Sequence, residues 1–175
     1  ILFKMNKFLI PFLSLYLLTC DSPERVWDNP YDPNWEIDRS ILILPLEQTI
    51  DISEEIVLDV QFNIYPNSIF AVSMVIDYDS TIIQPINFAN GEVFGIENIS
   101  FFTTEDSKIF LTISFLQGTD ADYSSGILCS FDFVGLRTGS SNIQIPVDDL
   151  YLFDINGNVI PNNDIYLGST VITVK

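Results

Sequence analysis

Period-two alternation of apolar side chains is the feature that most restricts the fold of this chain. Between residues 56 and 64, Leu58, Val60, Phe62 and Ile64 fall on alternate positions, which places them on one face of a β-strand. The remaining apolar residues are mostly Ile, Leu, Val and Phe, in short runs broken by Asn, Asp, Gly, Ser and Pro. This texture is typical of strands and turns, and no amphipathic stretch is long enough for a major helix. The sequence therefore predicts an all-β fold.

The spacing of these runs predicts nine or ten strands in one domain over residues 40–175. The expected strands are 41–46, 56–64, 70–78, 86–89, 99–104, 108–115, 127–135, 142–145, 150–153 and 166–174. A polar turn is expected at 49–55, a single helical turn at 81–83 and a polar loop at 117–125. In the strand 127–135, we expect Ile127, Cys129, Phe131 and Phe133 to form the buried face. Short strands at this spacing favour a β-sandwich or jelly roll.

Charge and histidine content exclude several classes of function. The chain has 24 acidic and 7 basic residues, a net charge of −17, which disfavours binding to nucleic acid and suits solvation, divalent cations or a basic partner. It has no histidine, which excludes Ser-His-Asp and Cys-His catalysis, and with so few cysteines it cannot build a zinc site. We therefore predict a protein that is not an enzyme and has no cofactor.

The first nineteen residues read as a signal peptide, with Met5 as the expected true start. Lys7 supplies a positive charge, and residues 8–18 form an apolar run too short to span a bilayer of ~30 Å as a helix. Leu17-Leu18-Thr19-Cys20 resembles the lipobox of bacterial lipoproteins. That resemblance implies export and a lipid on Cys20, which would anchor the protein to a bacterial membrane, at the outer membrane or cell surface. An ordinary signal peptide or a single anchor helix are the alternatives.

Residues 20–39 are predicted to be an extended tether between the lipid and the domain. Three prolines and many acidic residues leave no helical or strand period. Trp27, Tyr31 and Trp35 could contact a partner or a sugar, although packing on the flank of the domain is the favoured interpretation.

Pairs of acidic side chains are the remaining candidates for chemistry. Asp77 and Asp79 lie on the same face of a strand and could act as a glycosidase pair, but no third converging group is evident. Two loops offer weak Ca²⁺ ligands, Asp120 and Asp122 in one and Asp154, Asn156 and Asn158 in the other. A solvated loop is favoured for the first and an Asn-Gly hairpin for the second, so no metal site is predicted.

Several segments together resemble the cohesin domain in their order along the chain. They are Phe70-Ala-Val-Ser-Met-Val-Ile-Asp-Tyr-Asp-Ser-Thr-Ile-Ile83, Gly126-Ile-Leu-Cys-Ser-Phe-Asp-Phe-Val134, Thr138-Gly-Ser-Ser-Asn-Ile-Gln-Ile145, Asp154-Ile-Asn-Gly-Asn-Val159 and Gly168-Ser-Thr-Val-Ile-Thr-Val174. Ser80 stands where cohesins carry a proline. The resemblance implies a single nine-stranded jelly-roll sandwich, related to carbohydrate-binding modules.

The resemblance also implies a non-catalytic module that binds a protein of dockerin type, in polysaccharide-degrading or cell-surface assemblies. The strand with Ala71, Ser73, Val75 and Asp77 is the candidate contact surface, although Ala71 and Ser73 are small where dockerin-binding cohesins often carry acid or amide groups. The alternative is direct binding of polysaccharide, which needs a row of exposed aromatic rings. The candidates for that row are Phe101, Phe102, Phe110, Tyr123 and Tyr151.

Overall fold

The computed structural model describes residues 39–94, 98–116 and 123–175, and within them the regular secondary structure is almost entirely β-strand. The predicted signal peptide, Cys20 and most of the tether lie outside the described residues. The strands are β1 (Ser40–Leu44), β2 (Glu47–Ile50), β3 (Glu55–Asn63), β4 (Ala71–Asp77), β5 (Ile83–Asn90), β6 (Asn98–Glu105), β7 (Lys108–Phe115), β8 (Ser125–Gly135), β9 (Gly139–Ile143), β10 (Leu150–Phe153), β11 (Val159–Ile160), β12 (Tyr166–Gly168) and β13 (Thr170–Val174). One turn of 3₁₀ helix, Val147–Asp149, precedes β10.

The strands form a sandwich whose two main sheets each have five strands. The first sheet has the order β12-β1-β3-β8-β5 and the second the order β11-β10-β4-β7-β6. A third sheet, β2-β13-β9, touches the second through the backbone of Asp77 and Gln144. All pairs are antiparallel except β1 with β12 and β2 with β13. The predicted all-β sandwich is therefore confirmed.

The predicted alternation explains which face of most strands is buried; β1 is an exception, because all five of its residues are buried. In β3, Leu58, Val60 and Phe62 are almost fully buried, while Val57 is exposed. In β4 the inward residues are Val72, Met74 and Ile76, which meet the β3 side chains in one hydrophobic core. Because both main sheets contribute alternate residues to the same core, each also presents an outer face of the opposite parity.

One predicted face is wrong by a single residue. The register between β3 and β8 shifts at Val60 and Gln61, which pair with Cys129 and Ile127 and leave Leu128 unopposed. Leu128 is consequently fully buried, and Ile127 is only partly buried. Because of the bulge, the buried side chain near the start of β8, Leu128, falls on an even-numbered position and those after it fall on odd-numbered positions. Counting alternate residues in the sequence cannot detect such a change.

The structure has three more strands than the ten expected segments. Residues 47–50 form β2, although 49–55 was expected to be a turn. This polar segment is a strand because it pairs in parallel with β13. The short strand β11 pairs with β10 after the Asn-Gly turn. The expected strand 166–174 is divided at Ser169, where the chain leaves the first sheet for the third.

Aromatic side chains close the core between the two main sheets on the side where β5 and β6 lie. Phe88 in β5 stacks on Phe102 in β6 with ring centroids 5.3 Å apart, and both rings contact Phe131 in β8. Phe131 also contacts Phe133, whose ring meets that of Tyr78. No helix long and apolar enough to cross a membrane occurs in the part of the chain that the structure describes.

Candidate functional site

The outward side chains of the second sheet form one continuous surface, which we call the outer face. Its register places side chains in four rows across the strands. The rows are Ile99–Ser114–Ala71–Phe153–Val159, Phe101–Thr112–Ser73–Tyr151, Thr103–Phe110–Val75 and Glu105–Lys108–Asp77. Directly opposed residues in antiparallel strands lie about 5 Å apart, so each row is a set of touching neighbours.

The strand predicted to carry the contact surface lies in the middle of the outer face. Ala71, Ser73, Val75 and Asp77 all point away from the core and are half-buried by their neighbours in β7 and β10. The Ser73 and Thr112 hydroxyls lie 3.1 Å apart and share a hydrogen bond. The centre of the outer face is therefore lined by small side chains, so that it is recessed relative to the larger side chains around it.

Aromatic rings stand on both sides of this low centre. Phe101 in β6 is 69% exposed and Tyr151 in β10 is 50% exposed, and they occupy opposite ends of the same row. Phe110 is diagonal to Phe101 and is 38% exposed. Phe101, Phe102, Thr103, Phe110 and Thr112 line a shallow depression of about 260 Å³.

The two other aromatic candidates from the sequence are not in the rows of the outer face. Phe102 points toward the core side of β6, where it stacks on Phe88. Tyr123 lies beside Phe115, with ring centroids 5.8 Å apart and nearly parallel planes. All five candidate rings are partly exposed, but only Phe101, Phe110 and Tyr151 share one face.

The formal charges of the outer face are confined to its last row. The Lys108 ammonium lies 3.5 Å from Asp77 Oδ1, and Glu105 flanks Lys108 on the other side. The other three rows are aliphatic, aromatic or hydroxyl-bearing. Since the sequence carries a net charge of −17, three rows without a carboxylate form an unusual patch on this protein.

The outer face of the first sheet has the opposite character. Asp59 accepts a hydrogen bond of 2.6 Å from the Ser130 hydroxyl, and Asp132 accepts one of 2.9 Å from the Asn87 amide. These side chains satisfy each other across neighbouring strands. The two faces of the sandwich are thus distinguished by chemistry as well as position.

The glycosidase pair considered from the sequence does not form. Asp79 accepts hydrogen bonds from the Thr81 hydroxyl at 2.6 Å and the Thr81 backbone N–H at 2.9 Å, which lower the pKa of its carboxyl. It therefore ends β4 by holding the following turn, where Ile82 and Ile83 donate backbone hydrogen bonds to its carbonyl. Asp77 instead pairs with Lys108, so the two carboxylates have separate structural partners.

The second weak calcium loop is a hairpin turn between β10 and β11. Asp154 accepts hydrogen bonds from the backbone N–H groups of Asn156 and Asn158, each at 2.8 Å, and from the Asn158 amide at 3.0 Å. These bonds lower the pKa of the Asp154 carboxyl. Gly157 supplies the positive φ of 78° that the turn requires. The other pair, Asp120 and Asp122, lies outside the described residues, and among those described no three His, Cys, Asp or Glu side chains converge as metal ligands.

Cys129 has a structural position. Its side chain is fully buried in the core, and burial, followed by the nearby Asp59 charge, raises the pKa of its thiol well above the usual value. Such a thiol is a packing residue and a poor nucleophile.

Comparison with known proteins was informative only for structure. No protein-family model matches the chain, and no curated protein matches it. A non-cellulosomal cohesin from the archaeon Archaeoglobus fulgidus superposes with a TM-score of 0.62 at 12% identity, covering 79% of this chain and 91% of that one. The fold is that of a cohesin domain.

Two further cohesin structures agree. A type II cohesin domain from the cellulosome of Acetivibrio cellulolyticus gives a TM-score of 0.65 at 14% identity, covering 75% of this chain and 94% of that one. A type I cohesin–dockerin complex from Clostridium thermocellum gives 0.62 at 16% identity, with coverage of 78% and 99%. The cohesin resemblance of the sequence is thus confirmed at the level of the fold.

The sequence found β4 but missed most of the surface around it. Thr103, Thr112, Phe153 and Val159 join the outer face only because of the register between strands that are far apart in the chain. For Thr103 and Thr112, the alternation within 98–105 and 108–115 was the available signal. It shows which residues share a side of one strand, and it does not show which strands are neighbours.

Proposed function

We propose that this domain is a protein-binding module that uses its outer face to bind a partner module. The observation that carries the proposal is the composition of that face, which has three rows of apolar, aromatic and hydroxyl side chains and a single row of charges. Protein interfaces are depleted of charge at their centre and enriched in aromatic residues, with polar groups at the rim. The outer face has this arrangement on an otherwise acidic protein.

The geometry of the face suits a partner that inserts side chains at its centre. Ala71 and Ser73 have small side chains, while the exposed rings of Phe101 and Tyr151 lie at the ends of the row through Ser73. Binding energy in such interfaces is concentrated in a few packed aromatic residues. Phe110, which is partly buried between Thr103 and Val75, is positioned to be one of them.

The structural neighbours support a dockerin-like partner as the specific form of this proposal. The Clostridium thermocellum neighbour was solved as a complex of a cohesin with a dockerin. The present domain shares that fold, and its β4 lies at the centre of an exposed sheet. Because the chain is strongly acidic, a partner with basic groups at its rim would associate faster at low ionic strength.

The proposed role is non-catalytic, and the module would act while held at a membrane. Its carboxylates Asp77, Asp79 and Asp154 are each occupied by structural partners, which leaves none of them as an acid–nucleophile pair. The leader and Cys20 support export and lipid anchoring to the outer membrane or cell surface, with residues 20–39 as a spacer. Mass spectrometry of the protein isolated from its host membranes would test the lipid on Cys20.

A binding experiment with matched variants tests the outer face. The chain from residue 21 would be used to capture surface and secreted proteins of its host and assayed against dockerin modules by calorimetry. Val75→Asp should weaken binding by about 30-fold or more, since it buries a carboxylate at the centre of the interface. Val57→Asp is the matched control, because Val57 is exposed on the outward side of the first sheet and should leave the affinity unchanged. Equal affinities for the two variants would contradict the proposed site.

Polysaccharide binding is the second candidate, and the exposed rings on the outer face favour it. Phe101 and Phe110 are diagonal neighbours beside the shallow depression, where a sugar ring could stack. Only three of the five candidate rings share this face, and they lie in two different rows. A glycan array with the wild type and Phe101→Ala separates the candidates, because glycan binding that is lost in this variant would move the function to carbohydrate recognition.

A further inference from the structure

Strand β6 is an exposed edge with an unbroken register. Its eight residues, Asn98–Glu105, pair with β7 without a shift, and no other strand of the described residues lies on its far side. In a strand, alternate backbone N–H and C=O groups point to each side. One side of β6 therefore offers a row of donors and acceptors to an additional strand.

The other sheet edges are short or interrupted. Strand β11 has two residues, β12 has three, β2 has four and β9 has five, and the chain just after β9 pairs with β4 through Gln144 and Asp77. Strand β5 is as long as β6, but it contains Pro85 and a register shift between Pro85 and Asn87. Proline, bulges and short length are the usual devices that prevent edge-to-edge pairing.

Strand β6 has none of these devices. It contains no proline or lysine, and five of its eight residues are β-branched or aromatic, namely Ile99, Phe101, Phe102, Thr103 and Thr104. Its single formal charge, Glu105, is the last residue. A strand with this composition at a sheet edge is built to pair.

We infer that β6 pairs antiparallel with β6 of a second copy, about a two-fold axis at Phe101. Opposed residues in an antiparallel pair point to the same face of the sheet, whereas neighbouring residues of one strand point to opposite faces. The two-fold axis must therefore pass through a residue that opposes its own copy, and it cannot pass between two residues. With the axis at Phe101, the ladder runs from Asn98 to Thr104 and leaves Glu105 outside it. This inference does not depend on the proposed partner of the outer face.

The neighbouring registers are less favourable. An axis at Ser100 would shorten the ladder to residues 98–102. An axis at Phe102 would keep seven residues but would place the Glu105 carboxylate opposite Ile99. The axis at Phe101 pairs Ile99 with Thr103 and Phe102 with Ser100 of the second copy, so that each large side chain on the core side meets a small one.

A second copy suits this edge because the strand is nearly uncharged on an acidic protein. Two copies with a net charge of −17 each repel, but that repulsion is screened over about 8 Å at physiological salt. The carboxylates at the β6–β6 contact are restricted to its two ends. Association should therefore strengthen as sodium chloride is raised, which is the opposite of an interface held by ion pairs.

Engineered cysteines test both the pairing and its register. Cα atoms at the two-fold position are 4.5–5.5 Å apart in an antiparallel ladder, which suits a disulfide. In the chain from residue 21, Phe101→Cys should give a cross-linked dimer under mild oxidation at millimolar concentration. Thr103→Cys is the matched control, because the two residues 103 would be about 14 Å apart. Cys129 is fully buried and should stay reduced.

A second measurement keeps Phe101 in place. Chains with Ile99→Cys and chains with Thr103→Cys should each give no disulfide cross-link alone and should cross-link when they are mixed. The inference is overturned if neither Phe101→Cys nor the mixture cross-links, or if Thr103→Cys alone cross-links as fast as Phe101→Cys. Val75→Asp, which alters the outer face, should not affect cross-linking, so failure here is distinguishable from failure of the proposed function.

Discussion

Phe131 joins the two main sheets, and its removal should cost a large part of the stability of the domain. The ring is 1% exposed and contacts Phe88 at 5.5 Å, Phe102 at 5.8 Å and Phe133 at 6.4 Å between centroids. Truncation of a buried phenylalanine to alanine costs about 3–5 kcal/mol, since both the burial and the packing of the ring are lost. Because Phe102 and Phe88 close the side of the sandwich, we expect Phe131→Ala to fall in the upper half of that range, about 4 kcal/mol.

The loss should be measured by urea unfolding followed by circular dichroism, because both tryptophans, Trp27 and Trp35, belong to the predicted tether and not to the predicted domain. The midpoint should fall with little change in m, and the melting temperature should fall by about 15 °C, at roughly 4 °C per kcal/mol for a domain of this size. Phe101→Ala is the matched control, because Phe101 is exposed and its loss should cost less than about 0.5 kcal/mol. A loss below about 1 kcal/mol for Phe131→Ala, or equal losses for both variants, would refute this account of the core.

Two further predictions concern titratable groups. The Cys129 thiol is buried and its pKa is raised, so it should not react with a thiol reagent in the folded protein and should react once urea unfolds it; reaction at equal rates would contradict the buried position. Asp154 has a pKa below its ordinary 3.8, so its contribution to stability is complete above that value and is lost as the pH falls through the lower folded pKa. The free energy of unfolding should therefore fall less steeply between about pH 4 and pH 2 in Asp154→Asn than in the wild type, and identical slopes would show that the hairpin bonds do not stabilise the ionised form.

The local sequence pattern predicted strands that have one buried and one exposed face. It missed strands that form only by pairing with residues far away in the sequence. Strands β7 and β10 were predicted at their observed bounds, because β7 has apolar residues at alternate positions and β10 is a short run of apolar and aromatic residues. Strand β2 was not predicted: residues 47 and 48 were left unassigned, and residues 49 and 50 were placed in the polar turn 49–55. Its strand conformation comes from a parallel ladder with β13, more than a hundred residues away, and no local signal reports such a contact.

The candidate site shows the same division. The sequence predicted that Ala71, Ser73, Val75 and Asp77 share one side of a strand, because this follows from parity alone. It could not predict that Phe101 and Tyr151 flank Ser73, since this requires the order β10-β4-β7-β6 and the register of three ladders. It also grouped Phe102 with Phe101, although adjacent residues in a strand point to opposite faces. The sequence therefore shows which side chains are available and which of them share a side of one strand. It does not show which residues are neighbours on adjacent strands.

The separation of charge between the two outer faces bears on the proposed binding of a partner. The carboxylates of Asp59 and Asp132 lie on the first sheet, and each accepts a hydrogen bond from a neighbouring side chain. The polar groups of that face are therefore satisfied without any partner. The second sheet has no such provision in three of its rows, so its apolar side chains gain from being covered. The single charged row then matters for orientation, because a partner that approached in the reverse direction would place its own apolar groups against Lys108 and the flanking carboxylates. Under the proposed function, a face that is apolar at its centre and charged along one border would provide both affinity and a preferred direction of docking.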